Sequence, residues 1–194
     1  RGSGVKITSA VVSMSGSHII SHPSRGVIAV SRADGEISHD DVDRVIGAAQ
    51  TFSMPSNREI LHVIPSEFIV DGEGGIKDPL GMRGVRLEAN ALIISGASPY
   101  IKNLQKLLLE IGVAAESVVI DTLAASKAVL TKRQKELGVV CMDIGGGTTG
   151  LAVYEEGDLL QTSVLPIGGM HITKDLAIGL RVPYDTAESI KLEY

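Results

Sequence analysis

The sequence predicts an α/β protein with a small α+β module set within it, on three observations. From residue 98 to residue 139, stretches of helical periodicity alternate with β-type apolar runs, the pattern of βα units. Upstream, residues 23–95 carry strand, helix, strand and strand signals in succession, enough for a module of its own. Downstream, residues 139–154 (VVCMDIGGGTTGLAVY) place three consecutive glycines between two apolar runs, which reads as a glycine-rich hairpin.

In chain order, residues 7–20 are β-rich with an interruption at Gly16, and a second short strand is expected over 26–30, after Pro23. Ser38 caps a helix whose third residue is Asp41, a capping-box start, with Val42, Val45, Ile46 and Ala49 on one face. Asp40, Asp41 and Asp43 read as solvated charges favouring the helix dipole rather than as a catalytic cluster. Met54-Pro55-Ser56-Asn57 ends that helix. Residues 60–70 form a strand with Pro65 at an edge or bulge, 71–84 a glycine-containing loop, and 85–95 another strand. Ser98 at the cap and Pro99 at the first position start a helix through Ile101, Leu104, Leu107, Leu108 and Ile111, stopped by Gly112. A short strand over 118–120 and a single helix over 123–136 lead to the hairpin. The turn Glu155-Glu156-Gly157-Asp158 returns a strand over 159–165. Pro166-Ile167-Gly168-Gly169 then precedes a helix bearing Ile172, Leu176, Ala177 and Leu180, and Asp185 to Glu188 reads as a capping box opening a last helix.

Composition excludes several classes. With 194 residues, 44% of them apolar, the chain can bury a sizeable core as one large or two small domains. A net charge of −5 and the lack of a basic run argue against a general grip on nucleic acid. No apolar stretch is long enough to span a bilayer, and no signal peptide is expected. Cys141 is the single cysteine, so an intramolecular disulfide framework is impossible and a cytosolic setting is expected, with Cys141 in the core. Arg1-Gly2-Ser3-Gly4 reads as a cloning remnant. Tyr194 falls inside a helical pattern, so a piece of a larger protein is expected.

The hairpin carries the chemistry. Gly145, Gly146 and Gly147 have no Cβ to obstruct an approaching group and can take φ > 0, so successive N–H groups can converge on one anion. Thr148 and Thr149 add hydroxyls at its rim. Asp143, at the strand end, would be unfavourable beside an anion unless a hydrated Mg²⁺ lay between them. A plain tight turn is the other reading of the same residues. The glycines precede a strand, and no G-x-x-x-x-G-K-[ST] occurs, so neither a P-loop nor a Rossmann fingerprint fits. Gly168 and Gly169, before a helix, could meet a nucleotide phosphate or ribose at its N-terminus, or form an ordinary loop. The five histidines match no metal spacing, and no nucleophile elbow is found.

The pattern Asp143-x-Gly145-x-x-Thr148 on a strand-turn-strand resembles the second phosphate loop of the actin, DnaK-type chaperone and sugar-kinase superfamily. The runs DIGGGTTGLAVYEEGDLL, VLPIGGMHITKDLAIGL and AESIK, together with ILHVIPSEFIVDGEGGIKDPLGMRGVRLE upstream, resemble the bacterial actin-like cell-division family FtsA over nearly all of residues 5–194. That resemblance implies a partial actin-like (ribonuclease H-like) α/β core with an inserted α+β subdomain. Residues 5–22 and 96–138 would belong to the first actin-like subdomain, 23–95 to the insert, and 139–194 to the start of the second half.

It also implies that Gly145, Gly146, Gly147, Thr148 and Thr149 contact the β- and γ-phosphates of ATP and that Asp143 holds a hydrated magnesium. Gly168 and Gly169 would line the cleft, and Glu188 and Lys191 would reach the ribose and adenine side. A capping box plus a solvated lysine is the alternative reading of that last pair. Thr122 stands where relatives carry an acidic residue or a glutamine that orients water, so slow or negligible hydrolysis is expected, although Asp121 is adjacent. The partners implied are FtsZ, further copies of the chain in a filament, other division proteins through the insert, and the inner face of the cytoplasmic membrane through a C-terminal helix beyond residue 194. A first phosphate loop and an adenosine loop are also expected outside these residues. Another actin-like ATPase, such as a pilus-assembly protein or a chaperone nucleotide-binding domain, is the alternative.

Overall fold

The computed structural model describes residues 4, 6–51 and 55–193. Most of the expected cloning remnant and Met54 of the expected helix stop lie outside the described residues. The element order is β1 (Ser9–Met14), β2 (Ile20–Ala29), α1 (His39–Gln50), β3 (Arg58–Val70), β4 (Glu73–Ile76), β5 (Arg86–Ala97), α2 (Ser98–Glu110), β6 (Ala114–Ile120), α3 (Asp121–Val129), α4 (Lys132–Leu137), β7 (Val139–Ile144), β8 (Thr149–Glu155), β9 (Asp158–Leu165), α5 (Gly169–Leu180) and α6 (Tyr184–Glu193).

These strands form three sheets. β1 pairs in parallel with β6, β2-β5-β3-β4 form an antiparallel sheet, and β7-β8-β9 form an antiparallel meander. The four-stranded sheet is thus spliced between the two strands of the parallel pair. Its chain enters and leaves at neighbouring points, since Ile20 on β2 lies opposite Ser95 near the end of β5.

β5 shows why this sheet joins two cores. Successive side chains on a strand point to opposite faces. Leu87 and Ala89 accordingly pack with Val45, Phe68 and Val70 beneath α1, while Leu92 and Ile94 join Met14, Ile120, Cys141, Ala152 and Tyr154 in the main core. Cys141 is buried there as expected. Glu88 is only 2% exposed and is held by Arg25 and Arg86.

Several local expectations shift. β2 runs unbroken through Pro23, which has no amide hydrogen to donate and sits on an edge strand where that costs least. Pro65 falls at a bulge, where the β3–β5 register slips between Pro65 and Glu67. The stretch 71–84 is more than a loop, because β4 hydrogen-bonds to β3 within it. Ala97, rather than Ser98, is the N-cap of α2, and no side chain caps it. The single helix expected over 123–136 is two: α3 ends at Val129, and Thr131 caps α4 through a capping box with Gln134. That box was legible as T-x-x-Q and outweighed the continuous helical pattern. Ser38 caps α1 and Asp41 completes the capping box, but Asp41 is fully buried rather than solvated, accepting hydrogen bonds from the Ser38 hydroxyl (2.7 Å) and from the N–H groups of Ser38 (3.1 Å) and Ser31 (3.0 Å). Those bonds, the Ser38 hydroxyl foremost, hold its carboxyl well below the usual range.

Three hydrogen-bonded contacts, among others, tie the inserted sheet to its surroundings. Arg58 at the start of β3 donates to the carbonyls of His18 and Ser95, each at 2.8 Å. Ser21 on β2 donates to the Thr162 carbonyl on β9 at 2.5 Å. His62 Nε2 on β3 accepts the Ile120 N–H, at the end of β6, at 3.2 Å.

Two tests follow from this packing. A Cβ on Gly26 would lie 2.1 Å from the Val45 carbonyl oxygen, because α1 rests directly on β2, whereas a Cβ on Gly47 in the same helix would meet nothing within 4 Å. Gly26→Ala should destabilise the fold by about 2–3 kcal/mol, and Gly47→Ala should be neutral or stabilise it by about 0.5–1 kcal/mol in urea denaturation. Burial lowers the pKa of His62 below the usual 6.5, and burial followed by Arg58 does the same for His18. A histidine depressed in the folded state contributes stability above its unfolded pKa and loses it as pH falls through the folded value. The urea midpoint should therefore hold steady above about pH 6.5 and fall as the pH is lowered below that. His62→Gln, which keeps an acceptor but cannot titrate, should blunt that fall.

Candidate nucleotide site

The hairpin turn between β7 and β8 holds Gly145, Gly146, Gly147 and Thr148, closed by a hydrogen bond from Gly145 N–H to the Thr148 carbonyl at 2.9 Å. None of the three glycines has a positive φ, so left-handed backbone is not what they supply. They supply close approach. Gly169 N–H donates to the Gly145 carbonyl at 2.9 Å and Met170 N–H to the Gly146 carbonyl at 2.8 Å, so the first turn of α5 sits directly on the hairpin. Gly168 makes this possible, since a Cβ there would lie 2.4 Å from the Gly145 carbonyl oxygen. Thr149 completes the junction by donating its hydroxyl to the Ile167 carbonyl at 2.7 Å.

The direction of the remaining donors follows from peptide geometry. In a trans peptide the C=O and the next N–H point opposite ways, and no cis bond is present among the described residues. Carbonyls 145 and 146 aim at α5, so the N–H groups of Gly146 and Gly147 aim away from it. No described residue accepts a hydrogen bond from the N–H of Gly146, Gly147 or Thr148. Asp143 is half-buried on β7, and its carboxylate has no hydrogen bond or ion pair with any described residue. Unpaired amides on glycine-bare backbone fit an anion, and an unpaired carboxylate three residues before the first of them fits a hydrated cation riding on that anion. Among the described residues no cluster of His, Cys, Asp and Glu could hold a metal by itself.

The other predicted residues converge on the same junction. Lys191 Nζ on α6 donates to Thr173 Oγ1 (2.9 Å), to Glu188 Oε2 (2.7 Å) and to the Gly169 carbonyl (3.4 Å). Thr173 in turn donates to Glu188. Glu188 therefore points at α5 rather than back to its own helix start, and α6 begins at Tyr184, ahead of the expected capping box. Its carboxyl is lowered by Lys191, then by Thr173. The N-terminus of α5 is not a free anion site, because the hairpin carbonyls take its first amides and His171 Nδ1 accepts the Gly168 N–H at 3.1 Å. Thr149 is buried and committed to Ile167, whereas Thr148 lines a cleft.

Thr173, the buried hub that joins α6 to Gly169, escaped the sequence reading. Thr122 and Asp121 are singled out by sequence, but without their surroundings: Thr122, 2% exposed, packs under the hairpin, where a Cβ on Gly150 would come within 1.9 Å of its hydroxyl oxygen, and beside it Asp121 Oδ1 is buried with no hydrogen-bond partner among the described residues. These settings are tertiary and leave no local signal.

Among known families, the model described as the SHS2 domain inserted in FtsA matches residues 16–95, and that of cell division protein FtsA matches residues 140–194. The chain is 47% identical to the cell division protein FtsA of Borreliella burgdorferi, over 98% of this chain and 46% of that protein. It is 43% identical to that of Neisseria meningitidis, over 97% and 45% respectively. The chain thus spans about half the length of these relatives. Among solved structures, the PilM-PilN type IV pilus biogenesis complex superposes over 95% of this chain and 50% of that one, with a TM-score of 0.65 at 14% identity, a likeness of fold alone. Inserted sheet, glycine hairpin and sequence agree: this chain belongs to the FtsA family of cell-division proteins, on an actin-like α/β fold with an inserted SHS2 domain.

Proposed function

We propose that this chain is the part of an ATP-binding, filament-forming division protein that receives the phosphates and magnesium. The carrying observation is the run of unpaired N–H groups at Gly146, Gly147 and Thr148, next to the unpaired Asp143 carboxylate. Gly145 to Thr148 would cradle the β- and γ-phosphates, and Asp143 would hold Mg²⁺ through water. Magnesium would neutralise phosphate charge there. Thr149 serves by fixing the hairpin to Ile167, and Gly168, Gly169, Glu188 and Lys191 border the nucleotide's ribose side. Thr122 carries no base and lies buried, which supports slow or negligible hydrolysis and a nucleotide used as a conformational ligand.

In this reading residues 5–22 and 96–138 belong to the first actin-like subdomain, 23–95 to an interaction subdomain, and 139–194 to the start of the second half. The whole protein would polymerise, tether the FtsZ ring to the inner face of the cytoplasmic membrane through a C-terminal amphipathic helix, and meet other division proteins through the insert. No helix among the described residues is long and apolar enough to cross a membrane.

Calorimetry on the 194-residue chain should give weak MgATP binding, with a Kd of about 1 mM, because only one side of the clamp is included; tight binding would contradict that division of labour. Asp143→Ala should reduce the magnesium dependence of binding by about 10–100-fold, as loss of an outer-shell partner does. In the full-length protein Gly168→Ala should weaken ATP binding and polymerisation together, since the added methyl displaces α5 from the carbonyls that orient the hairpin. Normal nucleotide-dependent filaments from Asp143→Ala protein, seen by sedimentation, would count against the proposal.

A further inference from the structure

A cleft of about 180 Å³ opens beside the hairpin, lined by Ser15, Gly16, Ser17, His18, Tyr100 and Thr148. At about 30 Å³ per water it has room for roughly six waters, enough for one phosphoryl group and its hydration but too little for a nucleoside. None of its lining residues is acidic. Ser15, Ser17 and Thr148 bring hydroxyls that have no hydrogen-bond partner among the described residues, and Thr148 adds its unpaired N–H. Such a lining suits an anion and would hold a bare cation poorly.

The wall opposite the hairpin is built to keep its shape. Gly16 has a φ of +151°, and its carbonyl accepts the Ile19 N–H at 3.0 Å, which folds residues 16–19 into a tight turn between β1 and β2. The His18 ring rests on the Tyr100 ring, with centroids 4.2 Å apart. The His18 carbonyl accepts from Arg58, which also donates to Ser95 Oγ at 3.1 Å and to the Ser95 carbonyl. The turn is therefore fastened directly to β3 and β5 of the inserted sheet.

We propose that Ser15 and Ser17 bind the terminal phosphate of ATP across from Thr148, and that the turn they sit on passes the presence or absence of that phosphate to the inserted sheet through His18 and Arg58. This deepens the nucleotide reading and rests on it. A ligand with its ribose end at Lys191 and its phosphates along Gly146 and Gly147 would present its last phosphoryl group to this cleft. ADP would occupy the hairpin and leave the serines unbonded.

The test is backbone-amide NMR of the 194-residue chain titrated with MgATP and, separately, MgADP at millimolar concentration. MgATP should move the resonances of Gly146 to Thr148, those of Ser15 and Ser17, and the Arg58 side-chain N–H. MgADP should move the hairpin resonances alone. A Ser15→Ala/Ser17→Ala double variant should lower the preference for ATP over ADP by about tenfold or more, since each hydrogen bond lost to a charged group is worth at least that factor, with the β1–β6 spectrum unchanged. If the hairpin responds while Ser15 and Ser17 are unmoved, or move equally with both nucleotides, the inference is overturned and the nucleotide reading stands. Silence at the hairpin with either ligand refutes both.

Discussion

Two hydrogen bonds, from Gly169 and Met170 to the carbonyls of Gly145 and Gly146, set which way the hairpin faces. Glycine backbone left alone samples many orientations, and an anion site built from it would lose that freedom each time it bound. Docking the carbonyls on the N-terminus of α5 spends that entropy during folding instead. The helix dipole adds to the effect, because the α5 N-terminus favours the negative ends of the peptide dipoles it meets. α5 thus acts on a ligand indirectly, by holding donors that belong to another element.

The same constraint explains the neighbours. Thr149 and Gly168 matter for the junction: one is spent on the Ile167 carbonyl and the other leaves room for the carbonyl of Gly145. Beneath the hairpin, Gly150 is open to Thr122, and farther along β8 Tyr154 shares a 2.7 Å hydrogen bond with Ser126 on α3 while Lys135 lies over its ring. α3 and α5 therefore clamp the hairpin from two sides, and the face they leave open is the one carrying its unused amides.

The fold class, the order of most elements and the glycine hairpin could be read from the sequence because each has a local cause: periodicity, a cap, or side chains removed. The break between α3 and α4 was equally local, in Thr131 and Gln134, but was masked by a helical pattern on both sides. β4 could not be read in this way, since its Glu73-Gly74-Gly75-Ile76 has little strand propensity and exists because β3 offers it a partner. The roles of the threonines were hidden for the same reason. Nothing in the residues around positions 149 and 173 says which will point outward and which will be consumed by a contact made many residues away. Of the two properties the sequence offers for the glycines, close approach is the one the hairpin uses, and left-handed backbone is not adopted.

Ile20 and Ser95 face each other across neighbouring strands, so both ends of the inserted sheet leave from nearly one point, about 5 Å apart. Connections of that kind let the sheet join the chain without stretching the β1–β6 framework that carries it. The sheet is nonetheless no free appendage: Arg58, Ser21 and His62 bond it to its surroundings, and Lys77, just past β4, pairs with Asp158 on β9, so a displacement at any one of these contacts is felt along the whole sheet.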